Sequence, residues 1–339
     1  MKKQFLTAFT AAALAMTTLL GSSVFASQEA EEITSGTAEA AADDTVIRLA
    51  GLKGPTTIGM VGLLDNVANG IAQVDCEFTL AGAADEISPL LIKGDLDIAA
   101  IPLNLASVLY NKTEGGIELL AVNTLGVLYI CENGEPTVTD WSDLKGKTII
   151  ATGKGSTPEY ALRYLLSENG LDPDTDVTMD WKSEPSETVA AMAATEENTI
   201  AMIPQPYVIA AKGQLDNLNV VLDLTESWDA LDNGSRLLTA GLVVRTAFAE
   251  EHPDLVEAFL EDYAASTEYV NSNPADAALI VESYDIAKAA VAEKAIPQCN
   301  IVCITGDEMN EIVPGYLEVL FNANPESVGG ALPGDDFYY

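Results

Sequence analysis

The feature that most constrains this chain is that it repeats itself. Lys53-Gly54-Pro55-Thr56 returns as Lys154-Gly155-Ser156-Thr157, and Ile98-Ala99-Ala100-Ile101-Pro102 returns as Ile200-Ala201-Met202-Ile203-Pro204. From lysine to proline the first copy spans 102 − 53 = 49 positions and the second 204 − 154 = 50. Two short matches at nearly equal spacing indicate a repeated supersecondary unit. In each copy a short apolar strand precedes the lysine, and an apolar-periodic helix follows it. The second copy is the clearer. Thr148 to Ala151 is a β-branched run, Gly153 and Gly155 turn the chain, and Ala161, Leu162, Leu165 and Leu166 recur at three and four residues until Gly170 and Pro173 end the helix. Ser156 and Glu159 have capping-box spacing, while Thr157 followed by Pro158 fits an N-cap with proline at the first helical position; the sequence accommodates both starts. Free N–H groups at such a start, with the helix dipole behind them, favour an anionic or strongly accepting ligand group. Two nucleotide motifs fail here. Trp141 stands where a P-loop needs its first glycine, and Pro158 where a dinucleotide fingerprint needs its third.

Two such units imply an α/β protein of two similar lobes with a ligand cleft between them, since open α/β sheets bind ligands outside the carboxyl ends of their strands and domain interfaces favour pockets. Strands are expected over 46–52, 76–80, 97–101, 119–124, 125–130, 199–203, 219–224 and 237–244, with helices over 85–93, 186–194, 253–269, 276–284 and 309–321. The runs around Gly126 and Gly241 read as two crossovers, so residues 45–124 and 242–339 form a discontinuous first lobe and 125–241 a second. Two extended connections make a hinge.

At 339 residues the chain can hold two cores, and its formal net charge of −36, with 16 Lys and Arg, excludes nucleic acid and anionic membrane surfaces as partners. A small anion is not excluded, because local donors decide a pocket and distant charge is screened within about 10 Å. Met1 to Ala26, with Lys2 and Lys3 before an apolar stretch and Val24-Phe25-Ala26 at its end, reads as a signal peptide and places the protein outside the cytoplasm. Ser27 to Asp44, poor in large apolar residues, reads as a disordered acidic spacer.

Catalytic and metal chemistry find few residues to use. There is one histidine, His252, which reads as an exposed or helix-capping residue, and no paired Cys-x-x-Cys for zinc. No nucleophile motif surrounds that histidine, so no enzyme, metal or cofactor is expected. Among Cys76, Cys131, Cys299 and Cys303, the last two bridge only if their backbones approach suitably. Tyr207 and Trp228 are candidates for cleft walls and equally for core. Lys53 and Lys154 either add charge to the cleft or stand as exposed turn lysines.

The segments Gly94-Asp95-Leu96-Asp97-Ile98-Ala99, Asp143-Leu144-Lys145-Gly146-Lys147, Gly155-Ser156-Thr157 and His252-Pro253-Asp254-Leu255, in that order, resemble the type 2 solute-binding proteins of ABC importers, in particular the nitrate/sulfonate/taurine-like and thiamine-precursor-like group. The resemblance runs from about Val46 to about Phe321. It implies a monomeric two-lobed periplasmic-binding-protein fold that closes on a small molecule and hands it to a membrane permease and its ATPase. Carried over by position, ligand contacts fall on Thr56 and Thr57 with Pro55 beside them, on Asn104, Thr124, Ser156, Thr157 and Gln205. Two departures stand out. Leu19-Leu20-Gly21-Ser22 has serine where a lipoprotein signal has its lipid-bearing cysteine, and the cysteine-rich motif and histidines of the pyrimidine-synthase relatives are missing. The expected solute is a sulfonate, nitrate or carboxylate. The alternatives are a neutral pyrimidine- or flavin-type vitamin precursor held by Tyr207 and Trp228, a secreted enzyme, or a sensor module on the same fold.

Overall fold

The computed structural model describes residues 45–195 and 198–339. The signal-peptide and spacer readings, Met1 to Ala26 and Ser27 to Asp44, therefore lie outside the described residues. Eleven strands are defined within them: β1 (Val46–Leu52), β2 (Asp75–Ala81), β3 (Ile98–Pro102), β4 (Ile117–Leu125), β5 (Leu128–Asn133), β6 (Thr148–Ala151), β7 (Thr178–Trp181), β8 (Thr199–Pro204), β9 (Leu218–Asp223), β10 (Leu238–Arg245) and β11 (Ile301–Ile304). They form two sheets, in the orders β11-β4-β10-β3-β1-β2 and β7-β6-β8-β5-β9.

The sequence echo is a structural repeat. Read from one edge, β2-β1-β3-β10-β4 and β7-β6-β8-β5-β9 have the same alternation of parallel and antiparallel neighbours. The registers agree as well. Leu49 pairs with Ile98 in the first sheet as Ile149 pairs with Ile200 in the second. The two echo prolines are equivalent: Pro102 faces Ala240 across an antiparallel pair, and Pro204 faces Leu128. β11, a four-residue edge strand beside β4, has no counterpart in the second sheet and was not among the strands the sequence pattern predicts.

Each sheet is covered by helices whose apolar stripes follow the expected spacing. Ile47, Leu49, Leu63, Phe259 and Tyr263 pack in the first lobe, and Cys131, Val189, Met192, Ile203 and Val208 in the second. A third core is shared. The helix Gly306–Ala323, which follows β11, packs Tyr316 against Trp228, and Leu162, Leu165 and Leu166 of the helix Thr157–Glu168 belong to the same buried cluster as Ala50, Ile101 and Leu103. One side of the inter-lobe junction is thus a hydrophobic seam.

The chain passes from β4 to β5 through Gly126 and Val127, and β10 lies in the first sheet along its whole length. Gly241 therefore lies inside a first-sheet strand and not at the crossover that the sequence placed there, and both it and Gly126 are closely packed. A Cβ on Gly126 would collide with Thr225 Oγ1, and one on Gly241 would lie 2.8 Å from the Ala121 carbonyl oxygen.

Candidate functional site

A cavity of about 740 Å³ lies between the two lobes. Its floor is built by the repeat itself: Pro102 and Pro204, the residues that pair with them, Ala240 and Leu128, and the residues just before those, Thr239 and Val127. Its walls are aliphatic. Leu105, Val108 and Leu109 come from the helix Leu103–Lys112, and Pro89 and Ile92 from the helix Ala84–Lys93. No aromatic side chain is among the lining residues. The volume and the apolar character are those of a small-molecule site.

Lysines gather at this cavity. Five lysines, Lys53, Lys93, Lys112, Lys154 and Lys182, line it against one acid, Asp85, in a protein of net charge −36. Lys53 has Asp285 at 3.6 Å and Lys182 has Asp180 at 2.9 Å. Lys93, Lys112 and Lys154 are exposed and have no carboxylate within ion-pair distance among the described residues. A cleft with low-dielectric walls and one sign of charge focuses its field on an incoming counter-ion.

Several helix starts face the cavity, and three of them already hold a carboxylate. Glu86 accepts from the Gly82 and Ala83 amides at 3.0 and 2.9 Å, and Glu187 from Ser183 at 2.9 Å. At the start singled out by the echo, Glu159 accepts from the Gly155 amide at 2.7 Å. Ser156 is the N-cap, but its hydroxyl donates to the Gly153 carbonyl at 2.8 Å and makes no capping bond. The capping-box spacing is thus used one residue early. The Pro55–Ile58 helix is four residues long and its start has no side-chain cap. Positive character at the cavity consequently comes from lysines more than from helix ends, which corrects the weight that the sequence placed on the latter.

Of the ten residues expected to contact ligand, Pro55, Thr56 and Ser156 line the cavity. The other seven are engaged elsewhere. Thr57 is buried, its hydroxyl donating to the Leu52 carbonyl at 2.6 Å. Thr124 donates to Asn123 Oδ1 at 3.1 Å. Asn104 and Thr157 bond each other across the lobes at 3.2 Å, with Tyr316 on the far side of Thr157 at 3.1 Å and the Ser327 carbonyl accepting from Asn104 at 2.8 Å. Gln205 donates to Gln298 at 3.0 Å, and the Tyr207 hydroxyl reaches the Lys53 carbonyl at 3.5 Å; both contacts also join the lobes. Trp228 is 0% exposed, wedged between Tyr164 and Tyr316 with its indole N–H on Ser235. Trp228 is therefore core and not a cleft wall, while Tyr207 is buried between the lobes and is not among the residues that line the cavity. Several of these positions do lie between the lobes, where they fasten the lobes to each other.

Sequence reasoning missed Thr152, Thr239, Lys93, Lys112 and Lys182. The lysines come from separate elements, and nothing in the linear order marks them. All four cysteines are free, including Cys299 and Cys303. Burial pushes the Cys76, Cys131 and Cys299 thiols up to about 12 and that of Cys303 to about 11, which leaves them protonated at neutral pH. His252 stands at the N-cap of the helix Pro253–Ser272 with its ring beside Phe248 and makes no side-chain capping bond. No helix among the described residues is long and apolar enough to cross a membrane.

Known proteins share this architecture. An ABC transporter structure from Parabacteroides distasonis superposes with a TM-score of 0.71 at 25% identity, covering 87% of this chain and 99% of that one. The ligand-binding component of an ABC-type import system from Staphylococcus aureus, solved with zinc bound, gives 0.68 at 16% identity over 87% and 96%. The periplasmic aliphatic sulphonate binding protein of Escherichia coli gives 0.67 at 16% identity over 86% and 97%. The fold is therefore the two-lobed periplasmic-binding-protein fold. A search of curated proteins returned no match. The sequence model of the NMT1-like family matches residues 72–284, which take in most of the first lobe's repeat and all of the second sheet, and the chain belongs to that family.

Proposed function

We propose that this chain is the extracytoplasmic solute-binding component of an ABC importer, and that its solute is a small amphiphilic anion with an aliphatic body. The observation that carries the reading is the gathering of lysines: five of the protein's 16 Lys and Arg line an aliphatic cavity, and three of the five have no carboxylate within ion-pair distance among the described residues. A cavity of about 740 Å³ is far larger than a bare nitrate or acetate ion, so the apolar walls need a hydrocarbon partner. The lack of aromatic lining favours an aliphatic solute over a stacked vitamin precursor. Sulfonate-binding neighbours support the anionic head group. The solute would bridge both lobes, rotate them about the Gly126 and Asp229-to-Leu238 connections, and be passed to a permease and its ATPase; it shifts that equilibrium only by its differential affinity for the closed form.

Isothermal titration with heptanesulfonate and with heptanol tests the head group. The sulfonate is expected to bind more tightly than the alcohol, and to weaken about tenfold when Lys93, Lys112 and Lys154 are all replaced by glutamine, since three exposed charge contacts of a few tenths of a kcal/mol each sum to that ratio. Equal affinity for the alcohol would overturn the anionic reading.

A further inference from the structure

We infer that Thr239 is the specificity-determining hydroxyl of the cavity, and that the solute carries a second hydrogen-bonding group at the end opposite its anionic head. This rests on the reading of the cavity as a site for an amphiphilic anion. Three observations on Thr239 converge. Thr239 is among the residues that line the cavity floor and is 8% exposed. Its hydroxyl oxygen is buried with no hydrogen-bond partner. And it occupies an irregularity in the sheet: the pairing of β10 with β4 shifts register between Leu238, opposite Leu125, and Ala240, opposite Thr124. A bulge of that kind aims a side chain out of the ordinary alternation, and such bulges gather at binding sites.

The repeat supplies an internal control. Ala240 faces Pro102 as Leu128 faces Pro204, so the residue before each, Thr239 and Val127, are counterparts on the two halves of the floor. Threonine and valine have nearly the same shape. At one position the floor is hydrocarbon, and at the other it is the same shape with a hydroxyl added. A buried hydroxyl without a partner is costly, because it has given up water and gained nothing. A solute that supplies the partner recovers that cost; one that ends in a methyl group does not. On this inference the exposed Lys93, Lys112 and Lys154 meet the charged head, and the buried Thr239 on the floor meets the second polar group.

The test uses two probes of equal length, ω-hydroxyhexanesulfonate and heptanesulfonate, titrated into the wild-type chain and into Thr239→Val and Thr239→Ser. The wild type is expected to prefer the hydroxyl-ended probe by about tenfold, the size of one buried hydrogen bond. Thr239→Ser keeps that preference, and Thr239→Val brings the ratio of the two affinities to about one. A wild-type ratio near one, or a preference that survives in Thr239→Val, overturns the inference while leaving the anion site standing. If the wild type binds neither sulfonate, the anionic reading itself has failed and takes the inference with it.

Discussion

The two lobes share a strand order and a register, and they differ in how they treat charge. In the first, Asp97 precedes Ile98 of β3, is 1% exposed, and accepts from both Arg48 of β1 and Arg245 of β10. The positions that match these in the second lobe by register are Thr199, Thr148 and Asn133, all uncharged, and the Thr199 hydroxyl is buried without a partner. The second lobe buries a different carboxylate, Glu132, one place along at the counterpart of Val244, and satisfies it with the Thr137 hydroxyl and the Thr137 and Val138 amides. The topology is thus indifferent to the charge it contains. A buried carboxylate is tolerated wherever its lone pairs are met, by guanidinium in one lobe and by a loop in the other.

The comparison breaks most visibly at Asp97. Burial opposes its charged form, but the hydrogen bonds from Arg48 and Arg245 and the Arg48 amide outweigh that and hold the carboxyl below the usual range. Asp97→Asn is expected to cost about 3 kcal/mol in urea unfolding, because it leaves two guanidinium groups without their counter-charge. A group with a depressed native pKa stabilises above its unfolded value of about 3.9 and loses that contribution as pH falls through the native value, so the wild type should lose stability below about pH 4 and the variant should show a shallower acid slope. Replacing the whole set by its second-lobe equivalents, Arg48→Thr with Asp97→Thr and Arg245→Asn, should cost less than Asp97→Asn alone. A larger loss would mean that the charges, and not their completeness, hold the first lobe.

The two closely packed glycines give the next effect. At Gly241 a Cβ would press on backbone, the Ala121 carbonyl oxygen at 2.8 Å, as well as on Leu119; at Gly126 it would meet only the Thr225 side chain. Gly241→Ala is expected to destabilise by about 2 to 3 kcal/mol, and Gly126→Ala by less, since a side chain can swing away and a strand cannot. Thermal unfolding of the pair ranks them. Thr157→Val comes third, at about 1 kcal/mol, through loss of the bonds to Asn104 and Tyr316 that fasten the lobes. If its chief effect were on solute affinity with stability intact, Thr157 would belong to the cavity after all.

Most of the fold was legible because it is written in local periodicity. The strands over 46–52, 148–151 and 199–203 and the helix starting at Ser156 follow from β-branched runs and three-and-four spacing, and the echo tied them into equivalent units. β11 was not legible, since four residues in a C-terminal stretch carry too little pattern. Of the residues that line the cavity, the sequence singled out Pro55, Thr56 and Ser156 as ligand contacts and Lys53 and Lys154 as candidate cleft charges. Trp228 misleads because a core aromatic and a cleft aromatic look alike in sequence, and the difference here is made by Tyr164 and Tyr316, which only the fold brings to it. Lys93, Lys112 and Lys182 are invisible for the opposite reason: each is an ordinary residue of its own element until the fold places it beside Lys53 and Lys154, which the echo marks, around one cavity.

The smallest effect concerns the two helix starts that the echo equates. At Gly155 the amide is held by Glu159, whose other oxygen takes Arg163 at 2.9 Å, while Arg163 also reaches Asp174 at 2.8 Å. The Pro55 start has no side-chain cap. A carboxylate belonging to the chain thus sits where a solute anion would gain from the dipole of the longer helix, and it repels that anion as well. Glu159→Gln keeps an acceptor for the Gly155 amide and removes the charge. Heptanesulfonate affinity should then rise about two- to fivefold at low ionic strength, the range of a single charge acting at a helix end. The gain should fade in high salt, where such interactions are screened. An affinity that does not change at low salt would show that the anionic head lies out of reach of this start and is held by the lysines alone, and the two halves of the echo would then differ in function as they differ in charge.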